Sequence, residues 1–200
     1  MEMVQMDLFP NEVYVFTPKG EVKEFPKGAT PVDFAYSIHS EIGEKCSGSR
    51  VNGRMVPLKY QLQNGDIVEI ITSGRQHPRK DWLDFVKTPR AKAKIRQWIK
   101  NQERDESIAL GKGILEKALE QSHLTLPNIT KNEQVFAIAK DFSLHSTQDL
   151  LAHIGYGKIS SNQVINRLKP RLGVEEDKPA GLVSKVVSRL TRKKLSLIHI

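Results

Sequence analysis

The stretch Thr30–Leu58, TPVDFAYSIHSEIGEKCSGSRVNGRMVPL, constrains the fold more than any other part of the chain. Thr30 is a capping residue, Pro31 suits a first helical position and Asp33 completes a capping-box pattern, so a helix starts here. Gly43 supplies a stop. At the helical period, Phe34, Ala35, Ile38 and Ile42 share an apolar face, and Asp33, Ser37, Ser40 and Glu41 share the opposite one. His39 falls on the border beside Val32 and Tyr36, a place for a half-buried ring with one nitrogen turned to solvent. Just beyond, Asn52-Gly53 between Val51 and Val56 is the strongest short hairpin signal a sequence can carry.

The flanks extend this pattern. Val13–Thr17 is β-branched and aromatic, Pro18-Lys19-Gly20 is a turn, and Glu21–Phe25 alternates polar with apolar, which together predict a hairpin. Leu58–Leu62 reads as a short turn, Asn64-Gly65 as a second tight turn, and Asp66–Thr72 as a buried strand. The order β-β-α-β(β)-β predicts a mixed sheet with one helix across its face. This is a two-layer α+β unit of the β-grasp (ubiquitin-like) type over residues 13–73.

Residues 74–80 form a Gly/Pro-containing basic linker, after which β-branched runs give way to helical patterns, and 81–172 read as an all-α domain. Asp81–Val86 is one turn of helix. Thr88-Pro89 opens a long helix with Ala91, Ile95, Trp98 and Ile99 as its buried stripe, base stacking being the alternative role for Trp98. Ser107–Gln121 continues helically, weakened at Gly111 and Gly113. Thr130 is expected to cap a helix to about Phe142, Ser146 or Thr147 another that ends at Gly155-Tyr156-Gly157, and Ser160 or Ser161 a last one to Pro170. The last two resemble a helix–turn–helix in outline, but no basic recognition face accompanies them, so the arrangement is read as packing. Residues 1–12 read as a linker and 173–200 as a linker-like or disordered tail. Within that tail Leu182–Lys194 could form a basic amphipathic helix, and LSLIHI reads as a truncated or appended end.

Charge and cysteine usage narrow the functional classes. Residues 1–75 hold 8 Lys/Arg against 10 Asp/Glu, whereas residues 76–200 hold 23 against 13, so the net charge of +8 resides in the rear. A polyanionic partner and a plain solvated surface both fit that asymmetry. From Arg75 to Arg104 there are ten basic residues and three acidic ones, and Lys92, Arg96, Lys100 and Arg104 repeat at i+4 on one face. This ridge is the candidate for salt-sensitive phosphate contacts. A single cysteine, Cys46, excludes an internal disulfide framework, fits a reducing cytoplasm and is read as a buried small residue. No run is apolar enough to span a bilayer, and the first residues lack a signal-peptide pattern.

No catalytic constellation emerges. There is no phosphate loop of Walker spacing, His39 and Glu41 are only two apart on a helix, and the six histidines lack metal-ligand spacing. A His39–Cys46–carboxylate triad has no support beyond composition. Neither catalytic residues nor a cofactor or metal is expected, and a binding or regulatory module is favoured over an enzyme.

The blocks VFTPKG, DFAYSIH, VNGRMVPL and GDIVEIIT occur together and in order. This region resembles the TGS domain of RelA/SpoT-type (p)ppGpp synthetase/hydrolases. KDWLDFVKTPRAKAKIRQWIKNQERDESIALGKGILEKAL and DLLAHIGYGKISSNQVINRLKP are similar to the start and later part of that family's helical domain. The resemblance implies a regulatory region lying outside the hydrolase and synthetase domains of a larger, bifunctional parent. It implies partners too: the 3′-CCA end of deacylated tRNA, the ribosome, and the catalytic domains of the same protein. His39 matches the helix histidine that meets the CCA end. Lys45 and Arg50, close after that helix, are added by proximity as phosphate partners, and Lys92, Arg96 and Lys100 as the basic ridge. The alternative is an intramolecular module that docks on the catalytic domains without binding tRNA itself.

Overall fold

Alternation brings Val13 and Val15 to one side of strand β1 (Glu12–Phe16), which pairs antiparallel with β2 (Val22–Pro26) in the register Tyr14 to Glu24. The computed structural model describes residues 11–173 of the chain, so most of the 1–12 linker and all but the first residue of the 173–200 tail lie outside the described residues. A second, three-stranded antiparallel sheet has the order β4 (Arg54–Val56), β3 (Cys46–Val51), β5 (Val68–Thr72). Asn52 and Gly53 both take positive φ, 51° and 77°, as the tight β3–β4 turn requires. The single mixed sheet expected is interrupted: β1 and β5 meet at one parallel bridge, Phe16 with Ile67.

The helix expected from Thr30 to Gly43 is two helices, α1 (Pro31–Ile38) and α2 (Ser40–Glu44). His39 separates them in extended conformation, φ −155° and ψ 146°. Two local competitors break the ladder. Ser37 Oγ donates back to the Phe34 carbonyl at 2.7 Å, and the His39 imidazole Nδ1 accepts the Glu41 amide at 3.2 Å, capping α2. Gly43 is not the stop. It lies within α2, and a Cβ there would sit 2.4 Å from the Tyr36 ring, so close packing is what demands glycine.

Six consecutive residues of α1, Pro31–Tyr36, are buried, because apolar clusters form on two sides of it. Phe34 joins Val13, Val15, Phe25, Val51, Leu62 and Val68 on the sheet side, its ring 5.9 Å from that of Phe25. Val32, Ala35 and Tyr36 join Cys46, Trp82, Val86, Ala91 and Ile95 in the other cluster. The second cluster is contributed in part by α3 (Trp82–Phe85) and the start of α4 (Pro89–Gln121). Asp33, expected on a polar face, is 1% exposed. Its carboxylate accepts from the Thr30 amide and hydroxyl (2.9 Å each), the Lys87 amide (3.0 Å), and the Thr88 amide and hydroxyl (2.7 and 2.8 Å). A buried carboxylate on the otherwise unbonded N–H groups at two helix starts is a satisfied anion, not a solvated one.

The chain forms two compact units, Met1–Arg104 and Asp105–Ile200, whose boundary falls inside the continuous 33-residue α4. The first unit therefore extends through the expected linker 74–80 and takes in α3 and the beginning of α4. In the second unit α5 (Glu133–Asp141), α6 (Thr147–Gly155) and α7 (Ser161–Arg171) bury Val135, Ile138, Leu150, Leu151, Ile154, Val164, Ile165 and Leu168 together with Leu115 and Leu119 of α4. Ser146 and Ser160 cap α6 and α7 as expected. Thr130 does not cap α5. It lies in a 3-10 turn, Ile129–Lys131, and the Asn132 side chain accepts the Gln134 amide at 2.9 Å instead. Nor is Gly111 a weak point in α4: a Cβ there would meet the Leu151 carbonyl oxygen at 1.9 Å, and one on Gly155 the Ser107 carbonyl oxygen at the same distance. These two glycines let the backbones of α4 and α6 touch.

Candidate nucleic-acid interface

The break at His39 builds one exposed part of the candidate site. Because Nδ1 accepts a backbone N–H, the proton of the neutral ring resides on Nε2, and the exposed ring keeps that donor for another partner. The residue is exposed, since the chain leaves the helix at this point. One turn on, Lys45 pairs with Glu41 at i,i+4. The hydrogen bond from Lys45, followed by its charge, holds the Glu41 carboxyl below the usual range. His39, Glu41 and Lys45 thus form one connected surface on α2.

Arg50 belongs to a different surface. It stands on β3 beside its cross-strand partner Glu69 on β5, guanidinium to carboxylate 3.5 Å, with both side chains about half exposed. Lys92, Arg96 and Lys100 follow one ridge of α4 at i,i+4 spacing, Arg96 and Lys100 exposed and Lys92 partly buried. None of the three enters an ion pair among the described residues. The six expected contact residues therefore separate into three places within the first unit.

The buried groups do no nucleophilic chemistry. Cys46 is fully buried, burial pushes its thiol up to about 12, and its Sγ lies 3.8 Å from the Gly48 carbonyl. An inaccessible thiol and an exposed His39 do not make a catalytic pair. Burial raises the Tyr36 hydroxyl far above its ordinary value, and that hydroxyl has no hydrogen-bond partner among the described residues. Among the described residues no cluster of three His, Cys, Asp or Glu side chains could hold a metal ion, and no helix is long and apolar enough to cross a membrane.

Sequence reasoning missed two features. Glu41, whose amide orients His39 and whose carboxylate holds Lys45, was visible only as a polar-face residue. Trp98, placed in the buried stripe, is half buried and stacks on His77, with ring centroids 5.3 Å apart and planes 15° from parallel.

Comparison with known proteins agrees with this architecture. Residues 13–72 match the TGS domain family and residues 98–169 match the RelA/SpoT AH domain family. A GTP pyrophosphokinase from Myxococcus xanthus is 48% identical over 171 residues, which is 86% of this chain and 23% of the relative. A probable guanosine-3′,5′-bis(diphosphate) 3′-pyrophosphohydrolase from Synechocystis sp. is 48% identical over 169 residues, 84% of this chain and 22% of the relative. The bifunctional (p)ppGpp synthase/hydrolase RelA of Mycobacterium tuberculosis is 41% identical over 175 residues, 86% of this chain and 24% of the relative. The chain spans about a quarter of the length of these relatives. With a TGS domain and a RelA/SpoT AH domain in tandem, the chain belongs to the RelA/SpoT family as its regulatory TGS–AH region.

Proposed function

We propose that this chain serves a cytoplasmic (p)ppGpp synthetase/hydrolase as the region that reads the 3′-CCA end of deacylated tRNA on the ribosome and relays it to the catalytic domains of the same full-length protein. The observation that carries the reading is the state of His39: exposed between two short helices, its Nδ1 held by the Glu41 amide, and its Nε2–H left to donate to a ribose or phosphate oxygen or to stack on a base. Lys45 is tied to the same short helix by its pair with Glu41, and the Lys92–Arg96–Lys100 ridge supplies cations for phosphate. Arg50, paired with Glu69, makes a weaker, more salt-dependent contact.

A binding series tests this. Deacylated tRNA, aminoacylated tRNA and tRNA lacking CCA are titrated at two salt concentrations against the native chain and a His39→Ala variant. The expected order is deacylated tightest and CCA-less weakest, with His39→Ala losing about tenfold for the CCA-bearing tRNA only. Equal binding of all three, unchanged by His39→Ala, rejects the reading. A second reading, docking on the catalytic domains without tRNA, is favoured by the exposed apolar side chains of Val22, Met55 and Ile67. It predicts no tRNA discrimination and altered catalytic output in the full-length protein when Met55 is changed to Lys.

A further inference from the structure

The near-parallel His77–Trp98 pair is left unexplained by the His39 reading. Trp98 lies on α4 and His77 in the segment before α3, and the chain between them is anchored by the buried Pro78. An imidazole laid flat on an indole covers one face of each ring, and His77 itself remains exposed, so its other face is presented to solvent.

The electrostatic setting is mostly basic, with the Glu103 carboxylate held by Lys80 at 2.7 Å. On α4, the neighbours of Trp98 one turn away are Lys94, Ile95, Asn101 and Gln102, with Arg90 a further turn back on the same ridge as Lys94, and no carboxylate among them. Arg75 and Arg79 flank His77 in the chain; Arg79 contacts Asp81 at 3.6 Å, through exposed side chains that exert little mutual hold. This ridge is not the one that carries Lys92, Arg96 and Lys100: at 100° per residue Arg96 and Lys100 fall on the far side of the helix from Trp98.

We propose that the His77–Trp98 stack is a second RNA contact, which takes one unpaired nucleobase on the exposed face of His77 while Arg90 and Lys94 neutralise the adjoining phosphates. An aromatic platform beside cations is the arrangement that binds single-stranded nucleic acid without reading its sequence. A stack that served only to fasten the segment to α4 would not need the exposed imidazole. The site stands on other residues than His39, and because both would take unpaired nucleotides the two are told apart by variant, not by ligand.

The test uses the whole chain with a short single-stranded oligoadenylate, the same strand made abasic at every position, and an RNA duplex of equal length. Binding is followed by tryptophan emission, in which the buried Trp82 serves as the unresponsive reference. The oligoadenylate is expected to quench Trp98 and to bind about tenfold more tightly than the abasic strand, and His77→Ala to remove that advantage while leaving the abasic affinity unchanged. Arg90→Gln with Lys94→Gln is expected to lower the salt slope by about one for both strands. His39→Ala is measured beside them: a base advantage that survives His39→Ala and is lost in His77→Ala supports this site, and one lost in His39→Ala but kept in His77→Ala overturns the proposal. Equal affinity for base-bearing and abasic strands, preference for the duplex, or no binding by the native chain at low salt overturns the proposal. Because His77 is exposed, His77→Ala is expected to keep the native melting curve, so a lost base advantage cannot be ascribed to unfolding.

Discussion

The two units bury their helices in different ways. In the second unit each short helix is amphipathic in the ordinary sense: α5 buries Val135, Ile138 and Ala139 and leaves Glu133, Phe136 and Lys140 to solvent. In the first unit α1 is buried on two sides, by the sheet and by Trp82, Val86, Ala91 and Ile95. A helix with one covered face needs only apolar contacts and close backbones, which Gly111 and Gly155 supply. A helix covered twice also has to place its polar groups inside, and the Asp33 carboxylate does this by satisfying amides at the starts of α1 and α4. The contrast separates two means of fixing a helix: close approach in one unit, a buried anion in the other.

Breaking the anion is expected to have the largest effect. Asp33→Ala leaves the Thr30, Lys87 and Thr88 amides without their buried acceptor and should cost on the order of 3–5 kcal/mol in urea unfolding of the first unit. Asp33→Asn should be nearly as costly, because it points an amide donor at other donors. Breaking the close approach comes next: Gly111→Ala drives a Cβ into the Leu151 carbonyl and should destabilise the second unit by about 2–3 kcal/mol, with the first unit's transition unmoved.

Alkali should sharpen the same division. The Cys46 thiol is pushed from its ordinary 9 to about 12, so on raising the pH the unfolded chain loses the proton first and the folded one retains it. The stability due to the neutral thiol is fully present below pH 9 and is lost between 9 and 12, at no more than about 1.4 kcal/mol per pH unit. Tyr36, shifted in the same direction, adds to the loss from about pH 10 upward. The described part of the second unit contains neither a cysteine nor a buried tyrosine, so the first unit should unfold first in an alkaline titration followed by amide exchange. The smallest effect is Gly113→Ala: a Cβ there meets nothing within 4 Å, and the better helix former should raise the melting temperature through a gain of about 0.5–1 kcal/mol.

What was legible in the sequence follows the same line. The Asn52-Gly53 turn, the Ser146 and Ser160 caps and the strand order each depend on residues adjacent in the chain. The break at His39 was not legible, because Ser37 and His39 compete locally with a helix ladder that their neighbours favour. The buried place of Asp33 was not legible because a periodic pattern reveals one covered face, and its amide partners Lys87 and Thr88 are 54 and 55 positions away. His39 could be singled out, but its exposure and its fixed ring nitrogen depend on that break. The His77–Trp98 stack joins a loop to a helix, a pairing that no period or spacing records.

The second cover of α1 also separates a unit of inheritance from a unit of folding. Residues 13–72 are what the TGS domain family model matches, yet Tyr36, Val32 and Cys46 are sealed by Trp82, Val86, Ala91 and Ile95, all beyond that range. A gene fusion that moved residues 13–72 alone would carry an open hydrophobic seam to its new host and would need to find another lid for it. The transferable cassette is the longer one that ends near Arg104, and the first half of α4 travels with it as part of its interior.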